Sequence, residues 1–149
     1  MVWGAFSASG TLDLSFTSKK MNSEEYQQVL TLRLLPYLHQ FQQLNLIYQQ
    51  DNARIHTSRS TLDWFQHHQI TLMSWPTCSP DLNPMENLWG VLVCQIYANN
   101  HQFQTEKDLK VAILEAWNRL SPDILMNLVN SMPNRIFKVI NRNGNYTDY

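Results

Sequence analysis

Glycine is scarce in this chain, with four in 149 residues, and no glycine-rich loop of the phosphate-cradling kind is present. That removes the nucleotide-binding signatures in which closely spaced glycines let backbone amides approach a phosphate. A nucleophile elbow is absent as well. Cysteine is scarcer still: Cys78 and Cys94 sit beside apolar neighbours, and neither they nor the five histidines fall into HExxH or CxxC spacing. A zinc site is excluded on that pattern, and two free thiols in a reducing compartment are expected. Charge of one sign is not in excess, since 11 Lys and Arg stand against 12 Asp and Glu for a net charge of −1. A self-sufficient DNA-binding module usually carries a basic surplus, so none is expected, although a domain that grips DNA locally stays open. No stretch approaches the ~18 apolar residues of a membrane span, and MVWGAFSASG lacks the basic start and apolar run of a signal peptide. The expectation is an intracellular protein without a membrane partner. Without repeats, low-complexity tracts or linkers, residues 1–149 are read as one domain.

What the chain does have is an alternation of strand-like and helix-like segments. VWGAFSASGTLDLSFTS reads as two strands turning at Ala8-Ser9-Gly10, with Leu12, Leu14 and Phe16 on the buried face. Asn22 and Glu25 form a capping-box pair for a helix with Tyr26, Val29, Leu30, Leu34 and Leu38 on its apolar side, and Pro36 is expected to kink or end it. Leu44–Asp51 reads as a buried strand, Thr57 or Ser58 as the cap of a helix to about His68, and Ile70–Trp75 as a strand stopped by Pro76. Three further helices follow: Pro84 to about Asn99, one from Thr105, and one from Ser121-Pro122 interrupted at Pro133. This order gives an α/β class, a mixed sheet flanked by helices, with parallel neighbours where a helix separates two strands.

Two carboxylates stand out. Asp51 lies at the carboxyl end of an expected strand, where ligands gather in open α/β sheets. Glu86 lies 35 positions later in SPDLNPMENLW, on the first turn of a helix. Hard oxygen donors of this kind suit Mg²⁺, with Mn²⁺ as an alternative, and suit metal-assisted phosphoryl transfer. Structural roles are equally available. Asp51-Asn52 is sound turn chemistry, and Asn83, Pro84 and Glu86 make a capping-box-like helix start that the helix dipole also favours. Asn52, His56 and Asn83 are possible lining residues of the same site, His56 being equally readable as structural, while His67-His68 is read as facing water. Arg135, Lys138 and Arg142 make the C-terminal segment locally basic, either as a solvated helix face or as contacts to a DNA backbone.

The segments QQDNARIHTS and WPTCSPDLNPMENLWG, with VWGAFSASG before them and SMPNRIFKVINRNGNYTDY after, resemble the catalytic domain of the mariner superfamily of cut-and-paste DNA transposases. The likeness is to the nematode-type branch, whose second and third catalytic acids have the separation of Asp51 and Glu86. It implies an RNase H-like fold and a Mg²⁺-dependent triad of two aspartates and a glutamate. The triad would cut transposon ends and join the freed 3′-hydroxyl to target DNA. Asp51 matches the second acid and Glu86 the third. Ile55 departs from the proline or lysine common in the family before the histidine, away from the metal ligands.

The resemblance also implies that the family's first aspartate, carried on a central first strand, and its helix-turn-helix region lie outside these residues. Only Asp13, Glu24 and Glu25 precede Asp51, and Asp13 alternates away from the buried side of its strand. The expectation is therefore an N-terminally truncated domain lacking the first strand. Such a chain would be marginally stable or re-paired at its open edges, would bind metal weakly, and would not cut DNA alone. The alternatives are a regulatory remnant that binds full-length transposase or DNA, and a decaying transposon copy. The family's work on chromosomal DNA implies nuclear residence.

Overall fold

The computed structural model describes residues 1–145 and 147, which divide into two compact units. The first comprises 1–4 and 12–78, the second 5–11 and 79–149. None of the described helices is long and apolar enough to cross a membrane.

In the first unit, strand β1 (Val2–Trp3) pairs antiparallel with β4 (Ser15–Phe16), with Val2 opposite Phe16 and Trp3 opposite Ser15. Leu12 and Leu14 are buried and Asp13 between them is exposed, but the three residues lie outside regular strands and Phe16 is half-buried, so the expected second strand is broken. Helix α1 (Ser23–Val29) begins where Asn22 accepts a hydrogen bond from the Glu25 amide at 2.8 Å. The reciprocal half of the capping box is replaced, because the Glu25 carboxylate accepts from the Ser18 hydroxyl at 2.7 Å. Pro36 does not end the helix. A π-helical turn over Leu30–Leu34 precedes it, and α2 (Leu35–Gln40) carries on through it. The Leu35 amide bonds to Leu30 O, one residue further back than in an α-helix. The wider turn makes room for a ring that would otherwise press on the carbonyl four residues before it.

The expected strand over Leu44–Asp51 is largely absent. Gln42–Leu44 forms a 3₁₀ turn closed by left-handed Asn45, and only Tyr48 makes a ladder contact, a parallel bridge to Leu72. The Tyr48 amide donates to Thr71 O at 2.8 Å and its carbonyl accepts from the Met73 amide at 2.9 Å. Parallel pairing was therefore correctly anticipated but regular strands were not, and Leu44 and Ile47 are exposed rather than buried. Between these segments lies α3 (Arg59–His67), capped by Ser58 rather than Thr57. His67 is exposed, whereas His68 is half-buried, its ring tilted against that of Trp64 with centroids 4.4 Å apart.

In the second unit, β2 (Phe6–Ser7) and β3 (Gly10–Thr11) close a hairpin whose turn holds Gly10 at φ +135°, a conformation that glycine alone adopts readily. Helix α4 (Pro84–Ile96) packs against α5 (Glu106–Asn118) and α6 (Pro122–Asn141). Leu88, Leu92, Ala116, Trp117 and Leu125 form the core, and Trp89 stacks on Trp117 with centroids 5.7 Å apart. Thr105 caps α5 as expected, and Ser121 caps α6. α4 stops at Ile96, short of the expected Asn99, and a 3₁₀ turn follows over Ala98–Asn100 with Asn99 left-handed. α6 is not interrupted at Pro133 but runs 20 residues through it. Pro133 removes one amide from the ladder. In the same turn, the Ser131 hydroxyl donates to Leu128 O at 2.6 Å.

Candidate metal-binding carboxylates

Asp51 opens the loop between Tyr48 and α3. Its Oδ1 accepts from the Ala53 amide at 3.0 Å, the local turn expected of an aspartate here, and meets His56 Nδ1 at 2.6 Å. The His56 side chain is 19% exposed and that of Asp51 56%, so the imidazole is built into the fold while the carboxylate looks outward. Both bonds fall on Oδ1, so neither engages Oδ2. Behind His56 the order continues inward: its ring lies 4.4 Å from that of fully buried Tyr26. The Tyr26 hydroxyl donates to Gln50 Oε1 at 2.6 Å and lies 3.3 Å from the Tyr48 hydroxyl, while Gln50 Nε2 donates to His56 O at 3.2 Å. Burial pushes the Tyr26 hydroxyl far above the ordinary tyrosine range, and pushes Tyr48 up to about 12. Both phenols are therefore neutral donors at any physiological pH. Asn52 is exposed, and its Nδ2 donates to Trp75 O at 2.9 Å, which ties the loop to the segment after Leu72.

Glu86 is placed by other means. A 3₁₀ turn over Pro80–Leu82 leads into Asn83, whose amide donates to Pro80 O at 3.0 Å. Asn83 Oδ1 accepts from the Met85 amide at 3.1 Å, and the Glu86 amide donates to Asn83 O at 3.1 Å. Asn83 is thus the cap, as its spacing suggests, but the capping box is not reciprocal. The Asn83 amide that a Glu86 carboxylate would accept from is already bonded to Pro80, and the Glu86 side chain is exposed. Helix initiation therefore explains Asn83 and Pro84, while the Glu86 carboxylate sits in the first turn, where the helix dipole favours an anion, without a hydrogen bond to the cap.

The remaining sequence candidates separate. Asp13 is 85% exposed and bonded to Arg33 at 3.3 Å, and Glu25 is engaged by Ser18, so neither joins Asp51. Among the described residues, no three His, Cys, Asp or Glu side chains form a group able to hold a metal ion. Arg142, just past α6, is exposed, and Lys138 in the last turn of α6 is half-buried. Arg135 is a correction: it is 1% exposed, with Nε donating to Ser131 Oγ at 2.8 Å and Nη1 to Asp81 O at 2.7 Å. A guanidinium so enclosed cannot lie along a DNA backbone. Its spacing among other bases made it look like part of a surface stripe, and no local signal marks it as interior. Tyr26 and Gln50 were likewise read as helix face and strand rather than as support for the Asp51 loop. Both cysteines are free and exposed.

A family model for DDE superfamily endonucleases matches residues 1–110. The Tc3 transposable-element transposase of Caenorhabditis elegans is 47% identical over 149 residues, covering all of this chain and 45% of that protein. The Tc1 transposase of the same organism is 35% identical over 153 residues, covering all of this chain and 54% of that protein. The chain thus spans about half the length of these relatives. Among solved structures, the Mos1 transposase catalytic domain with raltegravir and Mg aligns with a TM-score of 0.87 at 21% identity, over 99% of this chain and 76% of that one. The pre-cleavage Mos1 transpososome aligns with a TM-score of 0.87 at 20% identity, over 99% of this chain and 45% of that one. At such identity the likeness speaks for the fold, which is the RNase H-like one expected. With the family model matching its first 110 residues, this chain belongs to the DDE superfamily of endonucleases.

Proposed function

We propose that Asp51 and Glu86 are the second and third carboxylates of a DDE site that acts on transposon-end and target DNA, within a single partial catalytic domain. The observation that carries this reading is that Glu86 is held at a rigid helix start whose capping does not use its carboxylate. Asp51 fits the same role, since an amide and an imidazole hold one oxygen and leave the other outside both bonds. The two proposed ligands are hard carboxylates, which suit Mg²⁺ or Mn²⁺, ions that keep water and phosphate oxygens as their other ligands. When bound, such ions activate an attacking oxygen and stabilise the leaving oxygen of a phosphodiester. The chain's part is positional. His56 sets the orientation of Asp51, the Tyr26–Gln50 pair sets that of His56, and Asn83 with Pro84 sets the direction of Glu86.

Because Asp13 and Glu25 are engaged elsewhere, this chain alone supplies two of the three acids and is expected to bind metal weakly without turnover. Exposed Arg142, just past the end of α6, is the candidate for a DNA-backbone contact, with Lys138 in the last turn of the helix. Association with a full-length transposase and residence in the nucleus belong to the same proposal. The test is Mn²⁺ titration of the purified chain followed by NMR line broadening, with Asp51→Asn and Glu86→Gln alongside. Broadening centred on residues 51 and 86, and lost in the respective variant, supports the reading. Broadening elsewhere, or cleavage of a transposon-end duplex that survives both substitutions, overturns it.

A further inference from the structure

The geometry points to Arg135 as a positioning residue for Glu86, acting through a clamp on the turn that precedes it. This inference rests on the reading of Glu86 as a metal ligand. Arg135 is the largest fully buried side chain described. Enclosing a guanidinium is unfavourable unless its donors are met, and what it offers that an apolar residue does not is a rigid fork of donors at fixed angles. One branch reaches Ser131 Oγ at 2.8 Å, one turn earlier on α6, and that hydroxyl is itself fixed by donating to Leu128 O at 2.6 Å. The other branch reaches Asp81 O at 2.7 Å, 54 positions away in sequence.

Asp81 is the middle residue of the Pro80–Leu82 turn. It is held from a second side, since its Oδ2 accepts the Thr147 amide at 2.8 Å. From the clamped turn, short backbone and cap bonds lead onward: Asn83 N to Pro80 O, Met85 N to Asn83 Oδ1, and Glu86 N to Asn83 O. The direction of the first turn of α4, and hence of Glu86, is thereby referred to α6 and to the C-terminal segment. Both holding residues, Arg135 and Thr147, lie beyond the 110 residues that match the family model. The role assigned to Arg135 is to position Glu86 through Asp81.

The experiment compares wild type, Arg135→Lys and Ser131→Ala by amide hydrogen exchange and by Mn²⁺-induced NMR broadening at Glu86. Lysine keeps the charge but lacks the fork, and Ser131→Ala removes one acceptor while leaving the cation, so it serves if Arg135→Lys does not fold. Expected is at least tenfold faster exchange at the amides of Asn83, Met85 and Glu86, with the amides of Ile113 to Trp117 in α5 unchanged. The Mn²⁺ concentration needed to broaden Glu86 should rise several-fold. Unchanged exchange at the start of α4 overturns the inference. So does equal acceleration in α5, which is what a merely structural arginine produces, and so does an unaltered Mn²⁺ requirement despite faster exchange. Glu86→Gln separates the two readings, because it should abolish the Mn²⁺ response and leave the exchange pattern intact. Absence of Mn²⁺ broadening in the wild type overturns the metal reading, and the exchange comparison then decides the clamp by itself.

Discussion

In the first unit the carboxylate of Asp51 takes hydrogen bonds from an amide and an imidazole, whereas in the second that of Glu86 takes none from its helix cap. Asp51 belongs to a loop whose only ladder contact is one parallel bridge, so its place is set by side chains: His56, then Gln50 and Tyr26 behind it. Glu86 stands on a helix whose start is stiffened by two prolines and a cap and whose far side is packed by Leu88 and Leu92. The lesson is that one chemical need, an acid at a fixed place, has two physical solutions. A loop requires a hydrogen-bonded network reaching into the core, while a helix terminus has most of its direction set by the backbone.

The strongest way to break this contrast is to remove the inner end of the network. Tyr26→Ala deletes a fully buried ring and is expected to cost about 3–5 kcal/mol, measured by urea unfolding. Its exchange footprint should cover residues 48–56 and spare α4. If α4 opens equally, the two regions are not separately supported.

Titration supplies the next test. Tyr26 and Tyr48 have folded pKa values raised by burial, so the neutral form is favoured in the native state. Their contribution is complete below the ordinary tyrosine value of about 10 and is lost as pH rises from there toward the folded values. Thermal melting should therefore fall steeply above about pH 10, and in Tyr26→Phe that fall should be reduced. At neutral pH, Tyr26→Phe should cost about 1–2 kcal/mol, because Gln50 Oε1 loses its donor.

Asn83→Ala is expected to cost about 1 kcal/mol by calorimetry, the usual loss for an N-cap, with the effect confined to α4. The smallest effect is expected at acid pH. Burial works against the charge of Asp81, but hydrogen bonds from Thr147 and from the turn's own amides outweigh it and hold the carboxyl below its ordinary value. The Thr147 tether is then complete above about pH 4 and is lost as pH falls through the depressed folded value. Exchange at the Thr147 amide should accelerate there while the Asp51 loop is undisturbed.

Local features were readable and long-range ones were not. Asn22, Ser58, Asn83, Thr105 and Ser121 all cap the helices that their positions suggest, because a cap is decided by a few neighbouring residues. Pro36 does not end its helix but follows a π-turn that distorts it, and Pro133 leaves α6 uninterrupted where an interruption is expected. The segment Leu44–Asp51 has the composition of a strand yet makes one bridge, since a strand exists only through its partners.

From its residues alone the protein determined its class and its helix starts, because periodicity and cap chemistry are properties of the chain, while Asp51 and Glu86 are singled out by the family resemblance of the segments that carry them. Only the tertiary structure decided that the Glu86 carboxylate is not consumed by its cap, that His56 turns to Asp51, and that Arg135 faces inward. Each depends on groups distant in sequence, such as Asp81 and Arg135, or Tyr26 and Gln50. What lies opposite a side chain after folding is set by packing, which spacing along the chain does not encode.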